Sequence, residues 1–163
     1  MSRKRFGALF ALERSISLKE HAETGVAVGA QLSTELAVTI FHPKTALHDG
    51  GMVLSKETVT AAACVFPVSQ KELSDRSMGL RHRAGIGLTE ETDAVTIVVS
   101  EETGSISICM DGSIERNLNE DEFRRRLEEI FLSDEQSDEK LVGEQLDGED
   151  RVAATGDRSL VSD

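Results

Sequence analysis

This chain has no tryptophan, no tyrosine and only six phenylalanines. It has no basic stripe either, so long nucleic acid, which is held by stacked rings and a cationic groove, is not an expected partner. No apolar run reaches the roughly 18 residues that a membrane-crossing helix needs, so membrane contact from this chain itself is not expected. Its basic start, Met1-Ser2-Arg3-Lys4-Arg5, leads into a short apolar stretch, Phe6 to Leu12, and then into charges. The small-residue cleavage site of a signal peptide does not follow, which makes the cytoplasm the expected location. Cysteine is scarce too. Cys64 and Cys109 lie in separate apolar, β-like runs without CxxC spacing. Each reads as a buried thiol in a reducing compartment rather than half of a disulfide or a metal ligand.

Negative charge, by contrast, is abundant. A net charge of −12 stands against an anionic substrate until its distribution is considered. Residues 132–163 hold ten acidic and three basic side chains, a net −7, and residues 1–131 carry the remaining −5. A mildly acidic domain can still hold a local cationic pocket. The acidic stretch has too few large apolar residues to offset its ordering entropy and is expected to be disordered. The 163 residues suit one domain, and a chain of about 150 residues buries roughly 70% of its unfolded surface. The expected organisation is a folded domain over residues 1–131 and an acidic tail over residues 132–163.

Phe6–Leu12 is short and apolar, as a buried strand would be. Ser17–Ala22 can start a helix, with Ser17 as cap and Glu20 three residues on, and Gly25 ends it. Ser33 or Thr34 can cap a second helix through Phe41, although Val38, Thr39 and Ile40 are β-branched. Pro43 stops it. Met52–Leu54 and Thr58–Phe66 flank Ser55-Lys56-Glu57 as a hairpin would. Lys71–Ser77 is polar and reads as a loop or short helix. Arg81–Glu91 can form a helix. Ala94–Val99 reads as a central strand buried on both faces. Ser105–Met110 alternates, and Asp111-Gly112 is a strong hairpin signal. Asn119 and Glu122 make a capping box for a last helix whose apolar face is Phe123, Leu127, Ile130 and Phe131. The sum is a mixed α/β domain with a mixed, largely antiparallel sheet flanked by helices.

Three short segments carry the chemistry. In Leu47-His48-Asp49-Gly50-Gly51, a carboxylate able to ligate a divalent ion or accept a proton precedes two glycines that let backbone approach a ligand. A simple Asp-Gly turn is the plain alternative. In Arg81-His82-Arg83, each arginine offers a planar fork of donors that matches phosphate oxygens. If these residues open a helix, its free N–H groups add to the anion site. A solvated cationic loop is the plain alternative. In Ser100-Glu101-Glu102, at the end of the Ala94–Val99 strand, a hydroxyl can donate to phosphate and a carboxylate can hold a bridging cation. An acidic turn is the plain alternative there. Val65 and Phe66, before Pro67, are candidates for an adenine pocket as well as for the core.

In order and wording these segments resemble the catalytic (DAC) domain of diadenylate cyclases, the enzymes that make cyclic di-AMP from two ATP. Phe6-Gly7-Ala8-Leu9, Glu23-Thr24-Gly25, Asp93–Val99 and Asp111-Gly112 extend the resemblance over roughly residues 5–131. The membrane-tethered, CdaA-like type is the most similar, without its membrane helices. The resemblance implies a DAC-domain fold and an ATP site made by Asp49, Gly50, Gly51, Val65, Phe66, Arg81, His82, Arg83, Ser100 and Glu101. It makes Asp49, Arg81, His82 and Arg83 catalytic, with Asp49 orienting or deprotonating the attacking 3′-hydroxyl. It implies a divalent cofactor, Mn²⁺, Mg²⁺ or Co²⁺, held by His48, Asp49 and Glu102. Two ATP must face each other, so it also implies a homodimer, expected to be weak in this form. Two positions depart from the family pattern. Gly51 stands where that pattern has alanine, and Leu80 stands where much of the family has a small hydroxylic residue. A non-catalytic module binding ATP or cyclic di-AMP is the alternative those departures support.

Overall fold

The computed structural model describes residues 2–71 and 78–132. The chain divides into two units, Met1–Phe123 and Arg124–Asp163, and the first holds the whole sheet. Its elements run β1 (Ala8–Glu13), α1 (Lys19–Ala22), β2 (Val26–Gln31), α2 (Thr34–Ile40), β3 (Gly51–Ser55), β4 (Thr58–Cys64), α3 (Leu80–Glu91), β5 (Val95–Val99), β6 (Ile106–Met110) and β7 (Ser113–Leu118). A last helix, α4, occupies residues 120–132. The seven strands form one sheet in the order β2-β4-β3-β1-β5-β6-β7. Only β1 and β3 pair in parallel; every other pairing is antiparallel. The fold is the mixed α/β class that the sequence pattern suggests.

β1 lies at the centre and feeds two cores. Leu9 and Ala11 join Val53, Phe66, Ile86, Leu88 and Val98 on the face covered by α3. Ala8 joins Met52, Leu54, Val99, Ile40 and Phe41 on the face covered by α2. Burial on both faces is why β1, β3 and β5 read as continuous apolar runs rather than alternating ones. The turns match their chemistry. Met110 pairs with Ser113, so Asp111 and Gly112 (φ 51° and 68°) form a two-residue turn with both angles positive. Ser33 caps α2, its side chain accepting the Leu36 N–H at 3.1 Å. Asn119 Oδ1 accepts the Asp121 and Glu122 N–H groups at 3.0 and 2.9 Å, and Glu122 Oε2 accepts the Asn119 N–H at 2.9 Å. The expected capping box of α4 is therefore present.

Three expectations are corrected, and one element was not foreseen. Ser17 is not the cap of α1. Leu18 is, and its N–H goes to Glu13 Oε2 at 2.8 Å, while Ser17 Oγ accepts the Lys19 N–H at 3.3 Å. The carboxylate ending β1 reaches the helix start and displaces the local hydroxyl. The strand expected to run to Phe66 ends at Cys64, after Ala63 adopts φ 55°. Phe131 is 45% exposed although Ile130 is buried. At 3.6 residues per turn, Phe131 lies roughly 80° around the helix from Phe123. Lastly, β2 has no counterpart in the sequence reading. It is an edge strand, largely exposed, and a bulge at Gly29 (φ 62°) interrupts its alternation. The readings of 72–77 and of 133–163 lie outside the described residues. No helix among the described residues is long and apolar enough to cross a membrane.

Candidate active site

Strand register brings the three motif segments together. Met52 pairs with Phe10, and Val99 pairs antiparallel with Ala8. The loop entering β3 and the loop leaving β5 therefore meet at the same end of β1. The first turn of α3 closes the group: Arg81 Nη1 donates to Glu101 Oε2 at 2.9 Å, and Nη2 donates to the His48 carbonyl at 3.4 Å. One guanidinium thus ties the Asp49 segment to the Ser100 segment.

Two cavities flank that guanidinium. The first, about 310 Å³, is walled by Asp49, Gly50, Gly51, Val65, Phe66 and Val68. The second, about 200 Å³, is walled by His82, Ser100, Glu101, Glu102, Arg116 and Asn117. Leu80 and Arg81 belong to both walls. The first is mainly apolar and the second mainly polar by the nature of these side chains. A larger cavity of about 500 Å³ lies at the other end of α3, among Glu90, Glu91, Asp93 and Asp111. Four carboxylates against Lys71 make it a poor host for a polyphosphate.

The Asp49 segment is held from behind. His48 Nδ1 lies 2.6 Å from the Thr45 carbonyl, which can only accept, so this nitrogen carries the proton. Nε2 is then the nitrogen left for a ligand. Thr45 Oγ1 in turn donates to the Ile40 carbonyl at 2.8 Å. Asp49 itself is exposed. Gly50 has φ 99°, and a Cβ there would meet the Cys64 carbonyl at 2.7 Å, so only glycine suits it. Thr24 Oγ1 accepts the Val65 N–H at 2.8 Å and fixes the chain where it leaves β4.

The other expected residues are less uniform. His82 is buried and lines the polar cavity. Arg83 turns away: its Nε and Nη2 donate to the Ser69 carbonyl at 3.4 and 3.2 Å, and Nη2 to that of Lys71 at 3.4 Å. Successive residues of a helix diverge by about 100°, so the Arg81-His82-Arg83 triplet cannot aim at one point. Ser100 Oγ accepts the Thr103 N–H at 3.3 Å and keeps its own proton to donate. Val65 is 68% exposed and Phe66 only 5%, yet both line the apolar cavity. Cys64 also lines it, but burial pushes its thiol up to about 11, which removes it as a nucleophile near neutral pH.

His48, Asp49 and Glu102 do not gather into a cage. Among the described residues no group of three or more His, Cys, Asp or Glu side chains converges on one point. His48 and Asp49 stand at the entry to β3 and Glu102 on the polar cavity. Such a donor set fits a hard cation that takes most of its ligands from phosphate oxygens and water.

Arg116 and Asn117 are residues the sequence reading missed. Ile108 faces Glu115 while Ile106 faces Leu118, so β7 carries one extra residue at this point. Asn117 absorbs it with φ 58°. A bulge of this kind re-aims side chains, and Arg116 lines the polar cavity. The asparagine, which tolerates a left-handed backbone, was the available signal.

A family model described as "DisA bacterial checkpoint controller nucleotide-binding" (DAC) matches residues 1–114. The cyclic di-AMP synthase CdaA of Bacillus subtilis is 40% identical over 131 residues, 80% of this chain and 48% of that protein. A diadenylate cyclase of Listeria monocytogenes is 39% identical over 127 residues, 78% of this chain and 46% of that protein. This chain thus spans about half the length of these curated relatives. Among solved structures, an N166C/T172C double mutant of DacA from Staphylococcus aureus superposes with a TM-score of 0.77 at 40% identity, covering 79% of this chain and 86% of that one.

Proposed function

The chain belongs to the DAC family, and from that premise we propose that it condenses two ATP into cyclic di-AMP and two pyrophosphate. The observation carrying this reading is the pair of cavities that share Arg81 and Leu80. An apolar cavity suits a nucleoside, a polar one with Arg81, His82, Ser100 and Arg116 suits a triphosphate, and the α-phosphorus falls at their junction. Arg81 stands at that junction, and its Nε–H is buried with no acceptor among the described residues. A phosphate oxygen is the acceptor such a donor calls for.

In this reading Phe66, Gly51 and Val65 bound the nucleoside, and Gly50 lets the backbone come close. Arg81, His82 and Ser100 hold the triphosphate in line, with Glu101 aiming Arg81. Arg83 contributes by holding the Ser69–Lys71 segment; contact with phosphate would require it to exchange those carbonyls for phosphate oxygens. Asp49, exposed at the rim, orients or deprotonates the 3′-hydroxyl presented by a second ATP on a facing copy. Positioning and charge neutralisation dominate such transfers. A divalent ion, Mn²⁺, Mg²⁺ or Co²⁺, would be held by Asp49, His48 Nε2 and Glu102 with phosphate oxygens, and it supplies charge neutralisation on the leaving pyrophosphate. The catalytic unit is residues 1–131, and the acidic residues 132–163 take no part in the chemistry.

Incubation with ATP and Mn²⁺ or Mg²⁺, with products resolved by chromatography and mass detection, tests this reading. Cyclic di-AMP and pyrophosphate are expected. Their absence at high protein concentration, where a weak dimer would form, would sink it. One observation favours a second reading, a binder of ATP or cyclic di-AMP without turnover. Leu80, 72% exposed, brings no hydroxyl to the rim of either cavity. ATP-dependent thermal stabilisation without product would select it.

A further inference from the structure

Gly51 and Phe66 occupy one space between them. An ideal Cβ on Gly51 would collide with the Phe66 ring, meeting Cε2 first, then Cζ at 2.7 Å and Cδ2 at 2.9 Å. The conflict does not come from the backbone of Gly51, which lies in β3 and pairs with Cys64. The three nearest atoms all belong to the ring. Elsewhere the ring is confined. It stands edge-on to His21, with centroids 6.1 Å apart and planes at 67°, and belongs to the core with Leu9, Val53 and Ala84. A side chain at position 51 would therefore drive the ring toward its one open side, the apolar cavity that both residues line.

We propose that Gly51 and Phe66 are a matched pair that sets the depth of the nucleoside cavity and hence how tightly the nucleoside is held. This deepens the ATP reading above and rests on it. The departure at Gly51 then has a physical reason. The space that a side chain at 51 would take is filled by the edge of the Phe66 ring, which forms part of the cavity wall. Either residue changed alone mis-sizes the floor: alanine at 51 expels the ring into the cavity, and leucine at 66 leaves a void beneath it.

Affinity of the full chain for two ligands separates this role from simple packing. ATP needs both cavities, whereas inorganic tripolyphosphate needs only the polar one. For Gly51→Ala the dissociation constant for ATP should rise about tenfold or more, with that for tripolyphosphate unchanged. Phe66→Leu should weaken ATP about threefold, again with tripolyphosphate unchanged. The double variant should bind ATP at least about fivefold better than Gly51→Ala alone, a non-additivity expected of residues in contact. Phe66→Leu keeps the test decisive should Gly51→Ala not fold, since recovery of folding in the double variant also supports the pair. Additive effects, or equal losses for ATP and tripolyphosphate, would overturn the pairing while leaving the ATP reading standing. A wild-type chain that binds tripolyphosphate and ATP equally would overturn that reading itself, and this one with it.

Discussion

Arg81 and Glu101 meet at 2.9 Å on the wall between two cavities, the arginine side chain 23% exposed and the glutamate 64%. With the glutamate this open, the pair adds at most about 1 kcal/mol to stability. Its value is directional. The second guanidinium nitrogen reaches the His48 carbonyl, so Glu101 decides how Arg81 spans the site. Glu101→Gln should leave the melting temperature almost unchanged and raise KM for ATP about three- to tenfold, with the effect shrinking at high salt. A change in melting temperature with kinetics intact would assign the pair to structure instead.

Asp49 is exposed, and its neutral replacement removes no core packing. Asp49→Asn should therefore fold normally, bind ATP within about threefold of wild type, and lose about 10²–10³ in the rate of cyclic di-AMP formation. Single-turnover kinetics beside a binding isotherm separate these quantities.

Arg116 lies on the polar cavity with His82 and Ser100. Arg116→Gln should weaken tripolyphosphate and ATP together by about tenfold, and adenosine not at all. Calorimetric titration with the three ligands checks the pattern. Loss of adenosine binding as well would mean that the bulge itself has been disturbed.

Burial raises the thiols of both Cys64 and Cys109 from 9.0 to about 11. A folded pKa above the unfolded one stabilises the fold below the unfolded value and loses that contribution as pH climbs to the folded value. Denaturant midpoints should accordingly hold up to about pH 9 and fall between 9 and about 11. Cys→Ala at both positions should flatten that fall, whatever it costs in packing.

The readable parts of this molecule are those in which one residue type does one local job. Asp111-Gly112, Ser33 and the Asn119–Glu122 box each dictate their own turn or cap, and each stands as the sequence implies. The three motif segments were legible as residue types, but their meeting was not. It depends on β3 and β5 pairing with the same end of β1, a relation among residues far apart in the chain. The same limit hid three other features. Glu13 took over the start of α1 from across a strand end. β2 is held by its neighbour β4 rather than by its own pattern. Arg83, alike in type to Arg81, parts from it only because a helix rotates between them.

The central place of β1 also orders events in time. β3–β4 and β6–β7 close over two-residue turns at Lys56-Glu57 and Asp111-Gly112, and hairpins of this sort form within microseconds. β1 joins the two halves of the sheet through distant pairings, Phe10 with Met52 and Ala8 with Val99. Such long loops close slowly, because their entropy is lost before any contact is gained. β1 can dock on β3 once residue 55 is made, but its second partner, β5, is complete only at Val99. Asp49 precedes β3 and Ser100 follows β5, on opposite sides of β1, so a nascent chain completes the candidate site in one late step.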